Sequence, residues 1–228
     1  MASKARQLAQ SASAPDGRKN IVINGAMQVA QRSTSATGVG ASAGYFAIDR
    51  FRVSPTSTAG RLTMSQDSDA PEGFANSLKL DCTTADTSIA SGEAFLLITE
   101  FEGQDVQRLA KGTSSAKEVT LSFYAKANAS KTYVVELKDI DNTRTCSKTF
   151  TVGTSYTRHE ITFPADTTGA LDDDNAKSLA IHFWLHAGTD FTSGTLQTAW
   201  GSQTSANRAV WVDSFFSSTD NTFFITGI

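Results

Sequence analysis

Beyond residue 20 the chain alternates apolar and polar positions with a period of two. In VTLSFYAK, Val119, Leu121, Phe123 and Ala125 fall on one side, and Thr120, Ser122, Tyr124 and Lys126 on the other. That is the pattern of a strand with one face against a core. TYVVELKD repeats it, with Tyr133, Val135 and Leu137 opposing Val134, Glu136 and Lys138. With only Asn128 to Lys131 between them, the two segments read as an antiparallel hairpin. Further strands are expected over residues 45–53, 61–66, 77–82, 94–101, 145–152, 157–163, 179–186, 209–216 and 221–226. One helical interruption is expected over 104–110, where Val106, Leu109 and Ala110 share a face and Gly112 closes the turn. Many short strands and little helix predict an all-β fold, most economically a jelly-roll-type antiparallel β-sandwich. No internal repeat of a β-helix is present.

The first twenty residues depart from this rhythm. MASKARQLAQSASAPDGRK is rich in Ala, Lys, Arg and Gln, and Pro15 and Gly17 break it. Ser3 is placed to cap a short helix through Leu8, a length too short to be stable alone, since isolated helices need about 12–15 residues. The segment is therefore either a frayed terminus or an anchor that orders by docking, with Lys4, Arg6 and Leu8 as its contact residues. The domain reading is an N-terminal helical or extended anchor over residues 1–20 and a β-sandwich over 21–228. Gly38, Gly40 and Gly44 fit a loop between strands, because their spacing is not that of a phosphate-cradling turn.

With 228 residues, 39% hydrophobic and 14 of them Phe, the chain has material for a real core, each buried Phe contributing about 2 kcal/mol. The formal charge is -3 and no Lys/Arg cluster stands out, which argues against nucleic acid as a partner. Cys82 and Cys146 are too few for a disulfide framework, and their strand-like surroundings predict buried free thiols, as suits a reducing cytoplasm. The start lacks a secretory signal and no apolar run approaches the roughly 20 residues of a membrane span, so a soluble, unsecreted chain without membrane insertion is expected.

The run NIVINGAMQVAQR at 20–32 leads through a Gly/Ser/Ala loop into YFAIDRF at 45–51. This resembles the opening of a family of bacteriophage tail-fibre and related virion proteins, in which "INGxMQVxQR" precedes an aromatic strand with a "DR" pair. The strings FEGQDVQRLAKGTSSAKEVTLSFYAKA, ITFPADTTGALDDDNAKSLAIHFWL, GTDFTSGTLQTAW and NTFFITGI are similar to the carbohydrate-binding-module-like sandwich of those same proteins. The resemblance implies a virion structural protein assembled in the host cytoplasm. Its implied partners are other virion proteins, copies of itself in a homotrimer, and a host-surface glycan. In that family "ITGI" usually continues into a Gln/Glu-containing tail, whereas Ile228 ends this sequence. Either the chain is a minimal form or a longer C-terminal part follows.

Several residues are candidates for chemistry. Strict alternation over 179–186 puts His182, Trp184 and His186 on one face, opposite Leu179, Ile181, Phe183 and Leu185. The two histidines are then roughly 13 Å apart along the strand, too far to share a metal. The face reads as a carbohydrate-stacking platform, a subunit interface, or ordinary packing under a loop. Asp172, Asp173, Asp174 and Asn175 offer oxygen ligands, but without EF-hand spacing they read as a solvated turn. Glu102 and Asp105 supply the two carboxylates a glycosidase needs, but such a pair is expected by chance among 23 acidic residues, and their place at a helix start already favours negative charge. His159, His182 and His186 have no nucleophile elbow to serve. Trp200 falls in a loop and Trp211 in a strand. The resulting expectation is a non-enzymatic protein without cofactor or metal, with a ligand-free structural adaptor or head decoration as the alternative and a glycan-degrading enzyme, which needs convergent carboxylates, behind both.

Overall fold

Two antiparallel sheets packed face to face account for almost all regular structure in the computed structural model, which describes residues 20–228. The first sheet runs in the order β1 (Ser35–Val39), β3 (Arg61–Asp67), β4 (Ser77–Thr84), β12 (Thr222–Thr226), β6 (Val119–Ala127), β9 (Thr157–Phe163). The second runs β11 (Gly201–Ser202), β8 (Arg144–Val152), β7 (Lys131–Asp139), β10 (Lys177–Ala187), β5 (Ala94–Glu102), β2 (Arg52–Thr56). The expected all-β sandwich is therefore the fold. The anchor residues Lys4, Arg6 and Leu8 lie outside the described residues.

The alternating positions do what the pattern requires. Leu121, Phe123 and Ala125 of β6 meet Tyr133, Val135 and Leu137 of β7 and Phe183 of β10 in the main core. Phe123 sets its edge against Phe150 and Phe183 at centroid distances of 5.1 and 5.2 Å, and Tyr133 meets Phe223 at 5.4 Å. Such edge-to-face pairs add about 0.5–1.5 kcal/mol each beyond their buried area.

The hairpin of β6 with β7 does not form. β6 pairs with β9 and β12, while β7 pairs with β8 and β10, so residues 128–130 cross from one sheet to the other. Burial explains this. Residues 133–137 of β7 are buried on both faces, which demands a central place between two strands and a cover on its outer side. β6 keeps Ser122, Tyr124 and Lys126 half-exposed, as a one-sided strand should. A turn signal between two amphipathic segments cannot distinguish a hairpin from a sheet-to-sheet crossing.

Two further expected strands are corrected. Residues 45–51 form a loop, with Arg50 at φ 71, and only Arg52–Thr56 joins a sheet, at its edge beside β5. Residues 209–216 also lack a ladder: Trp211 sits at φ 69, Asp213 exchanges hydrogen bonds with Thr132, and Phe215–Ser217 is a 3-10 turn capped by Ser214. The helical interruption is present as Gly103–Val106 followed by a 3-10 turn at Gln107–Leu109. It is closed by Ala110 at φ 50 rather than by Gly112. Gly103 is required there, since a Cβ would stand 1.8 Å from the Asp172 carbonyl oxygen.

The run 20–32 works as a clasp. Asn20 Nδ2 donates to the Ile228 carbonyl at 2.7 Å, and the Ile228 N–H donates to the Gly25 carbonyl at 3.2 Å. A Cβ on Gly25 would lie 2.2 Å from the Ile228 oxygen. Asn24 Nδ2 donates to the carbonyls of Val29 and Asp49, both at 2.9 Å, and its Oδ1 accepts from Val29 N–H. Arg32 pairs with Asp49 at 3.3 Å and lies over the Tyr45 ring. The opening motif and the "DR" loop are thus two halves of one local structure.

Candidate functional site

β10 is buried along nearly its whole length, because both of its faces are covered. Its inward residues Leu179, Ile181, Phe183 and Leu185 belong to the main core. Its outward residues Ala180 and Trp184 join Leu96, Ile98 and Val134 in a second apolar cluster, closed over by Leu196, Ala209 and Val210 from the long excursion between β10 and β12.

His182, Trp184 and His186 do not share one face. The β10–β5 register shifts between Trp184, opposite Leu96, and His186, opposite Phe95. This bulge re-aims the strand end, so that His186 packs edge-on against Phe216 of the main core at 5.5 Å. The alternation that joined the three residues holds only up to the bulge. Trp184 is 1% exposed, with Phe191 at 5.3 Å and the Arg208 guanidinium 4.7 Å over its ring. Of the three outcomes open to this face, packing under a loop is the one realised at Trp184.

His182 belongs to a buried charged triad. Glu136 takes two hydrogen bonds from Arg208, at 2.6 and 2.8 Å, and one from His182 Nδ1 at 3.1 Å. Burial pushes the Glu136 carboxyl up, but the hydrogen bonds from Arg208 and His182 more than offset it and hold the group at about 2. Nδ1 of His182 therefore carries the proton that the carboxylate accepts.

These groups set the acid response. Burial lowers the pKa of His182 and of His159 from the ordinary 6.5. Around and below pH 6.5 the unfolded chain takes up protons that the folded chain refuses, so stability present above that pH is lost as pH falls through it. Glu136 acts in a lower window: its contribution is complete above its unfolded value of 4.5 and disappears as pH falls toward about 2. Thermal melts between pH 8 and pH 3 are expected to show a midpoint that declines below pH 6.5 and steepens below pH 4.5. A midpoint that rises between pH 6.5 and pH 5 would contradict these assignments.

Above the Trp184 cluster, on the outer face of the second sheet, lies a groove of about 270 Å3. Leu96, Ile98, His182 and Trp184 form its floor. Its rim is polar and cationic: Arg52, Lys138, Lys177 and Arg208 stand against the rim carboxylate of Glu100 and the buried one of Glu136. Lys177 and Arg52 both face the same Glu100 oxygen, at 3.1 and 3.6 Å. Burial, with Arg208 adding repulsion, lowers the pKa of Lys138. Arg52 Nε and Trp184 Nε1 are buried donors without a hydrogen-bond partner, available to an acceptor brought into the groove.

A larger concavity of about 730 Å3 opens on the other side of the same sheet, where Phe101, Leu137, Leu179 and Ile181 face Leu121. Asn20 and Ile228 sit on it, so the described chain begins at this opening.

The remaining candidates separate. Asp172, Asp173 and Asp174 are exposed in a turn fastened through its backbone, with Gln104 N–H donating to the Asp174 carbonyl and Asp174 Oδ1 capping Ala176 N–H. Glu102 accepts from Gln104 Nε2, Asp105 is exposed, and neither lines either of these two concavities. Cys82 and Cys146 are buried free thiols whose pKa burial pushes up to about 11. Trp200 is half-buried and donates to the Pro164 carbonyl at 2.9 Å, whereas Trp211 stands 67% exposed.

Sequence reasoning missed the cationic rim. Its four cations, Arg52, Lys138, Lys177 and Arg208, lie in or beside four separate expected strands, and alternation within each strand does not show that they meet.

No protein-family model and no curated protein matches the chain. Solved structures similar to it include the family 11 carbohydrate-binding module of the cellulosomal cellulase Lic26A-Cel5E of Clostridium thermocellum, 14% identical over 78% of this chain and 85% of that one, TM-score 0.40. TmCBM61 in complex with beta-1,4-galactotriose is 10% identical over 91% and 94%, TM-score 0.40. The enzymatically active domain of bacteriophage CBA120 tailspike protein 4 is 13% identical over 92% of this chain, TM-score 0.43, and the chain spans 21% of that protein.

Proposed function

We propose that this protein is a non-enzymatic virion component of tail-fibre type that attaches through residues 1–20 and presents its β-sandwich to a host-surface glycan. The groove on the outer face of the second sheet carries this reading. It combines a tightly packed apolar floor with a rim of hydrogen-bonding cations that can grip the substituents of a sugar. Because Arg52, Lys138, Lys177 and Arg208 outnumber the carboxylates, the ligand class is an acidic glycan, bearing uronate, sulfate or phosphate groups. The resemblance of NIVINGAMQVAQR to tail-fibre openings supports the virion setting, and homotrimeric assembly follows from the same resemblance.

The start of the described chain favours the proposed polarity. Asn20 lies at the larger concavity, on the opposite side of the second sheet from the cationic groove. Attachment and glycan contact then use different surfaces. Retention on an array of neutral and acidic glycans tests the reading. Acidic glycans are expected to be retained, and Arg52→Glu with Lys177→Glu to lose at least tenfold in retention while the fold is kept. No retention of any acidic glycan would overturn the ligand assignment.

A structural adaptor without ligand is the second reading, favoured by the cover that the excursion already lays over Trp184. It shares the attachment step: particles assembled with a chain lacking residues 1–19 should fail to incorporate it, and normal incorporation would contradict both readings.

A further inference from the structure

The folded protein buries the carboxylates of Asp86, Glu93, Glu136, Asp139 and Asp166. Three of them have cations. Glu136 is held by Arg208, while Asp139 and Asp166 share Lys111, and Asp166 also takes Arg144. Among the described residues no Lys or Arg pairs with Asp86 or Glu93, and these two converge on one another and on His186. A ligand atom from each of the three lies within 4.8 Å of the others. His186 Nε2 is 3.3 Å from Glu93 Oε2, and His186 is 0% exposed.

Two desolvated carboxylates without a cation are costly to bury, by several kcal/mol per ion, so this cluster is incomplete as protein alone. Its outer contacts are those of oriented ligands. Asp86 Oδ2 accepts from Thr58 Oγ1 and Ala59 N–H, both at 2.8 Å. His186 Nδ1 is 2.8 Å from Ser214 Oγ. With Nδ1–H donating there, Nε2 presents a lone pair toward Glu93, the arrangement by which second-layer hydrogen bonds fix a metal-binding imidazole.

We propose that Asp86, Glu93 and His186 bind one divalent transition-metal ion, zinc by preference, as a structural site. The donor set decides the class. One imidazole and two carboxylates suit zinc and its neighbours, whereas calcium takes six to eight oxygens and seldom an imidazole. The position gives the role. Asp86 follows β4 of the first sheet, Glu93 precedes β5 of the second, and His186 lies near the end of β10. Through Ser214 the site reaches the 3-10 turn at Phe215–Ser217. The ion ties the two sheets together at one end of the sandwich.

Chelator-stripped full-length protein titrated with zinc chloride tests this, with calorimetry for stoichiometry and thermal melts for stability. One equivalent is expected to bind, and zinc at a hundredfold excess over its Kd to raise Tm by about 5–10 °C. Cobalt in place of zinc should give visible d–d absorption. Glu93→Gln removes one of the two facing charges, so the metal-free variant should melt no lower than the metal-free wild type yet lose the zinc response. If that variant does not fold, the wild-type titration and the cobalt spectrum decide alone. Absence of stoichiometric zinc binding, the outcome if a shared proton alone neutralises the cluster, would overturn the proposal. So would a response to calcium but not zinc, or a zinc response kept in Glu93→Gln.

Discussion

Replacing Lys111 by methionine is expected to lower the unfolding free energy by about 3–5 kcal/mol, the cost typical of breaking a buried ion pair from one side. Lys111 is the hub of a network at the end of the sandwich. It pairs with Asp139 and, at 2.9 Å, with Asp166, and donates to the carbonyls of Thr168 and Gly169. Asp139 is 0% exposed and is left with only Asn142 as a side-chain partner once the ammonium is gone. Asp166 keeps the two-pronged contact of Arg144, both bonds at 2.9 Å, so the loss concentrates on Asp139. The ammonium also lies 4.9 Å over the Trp200 ring. Methionine matches the stem of lysine in length, so packing is kept and the charge is what is removed. A urea titration reads the effect as a lower midpoint with unchanged m. Lys126→Met, which breaks a partly exposed pair with Asp69, should cost no more than about 1 kcal/mol. Equal costs for the two substitutions would show that the Lys111 network is not the structural unit described.

Trp184→Ala carries a comparable penalty, about 3–5 kcal/mol, through the cavity left in the second apolar cluster. Phe191, Leu196 and Val210 then lose the ring on which the excursion rests, and Arg208 loses its stacking partner. The consequence for function is practical. Any fall in glycan retention by this variant reports unfolding of the groove rather than a lost sugar contact. An unfolding free energy within about 0.5 kcal/mol of wild type would refute the packing role. Trp211→Ala, at an exposed position, is the matched control for stability.

The sequence displayed the sandwich through side-chain alternation, and it failed where tertiary contacts override that rule. VTLSFYAK announced β6 correctly, yet its partnering with β7 was wrong, because period two tells which residues face a core and not which sheet a strand joins. YFAIDRF looks like a strand, but Asp49 gives its carbonyl to Asn24 and its carboxylate to Arg32, and a loop results. AVWVDSFF has strand composition without a ladder partner. The face assigned to His182, Trp184 and His186 fails at a single bulge, which no periodicity reveals. The cationic groove and the cluster of Asp86, Glu93 and His186 were illegible for a different reason. Their members are separated by a hundred residues or more, and only the topology brings β5 beside β10. The motif NIVINGAMQVAQR gave no sign of the clasp it forms: Asn20, Asn24 and Gly25 tie the first described residues to Ile228 and to the 45–51 loop.

The central claim, that the cationic groove takes an acidic glycan, is tested most directly by equilibrium binding of a uronate- or sulfate-bearing oligosaccharide at two salt concentrations. Affinity should fall with added salt, as binding by partly exposed cations requires, should fall at least tenfold in Lys177→Glu, and should exceed that of the neutral oligosaccharide of the same backbone. Equal affinity for charged and neutral forms, unchanged by salt and by Lys177→Glu, would contradict it.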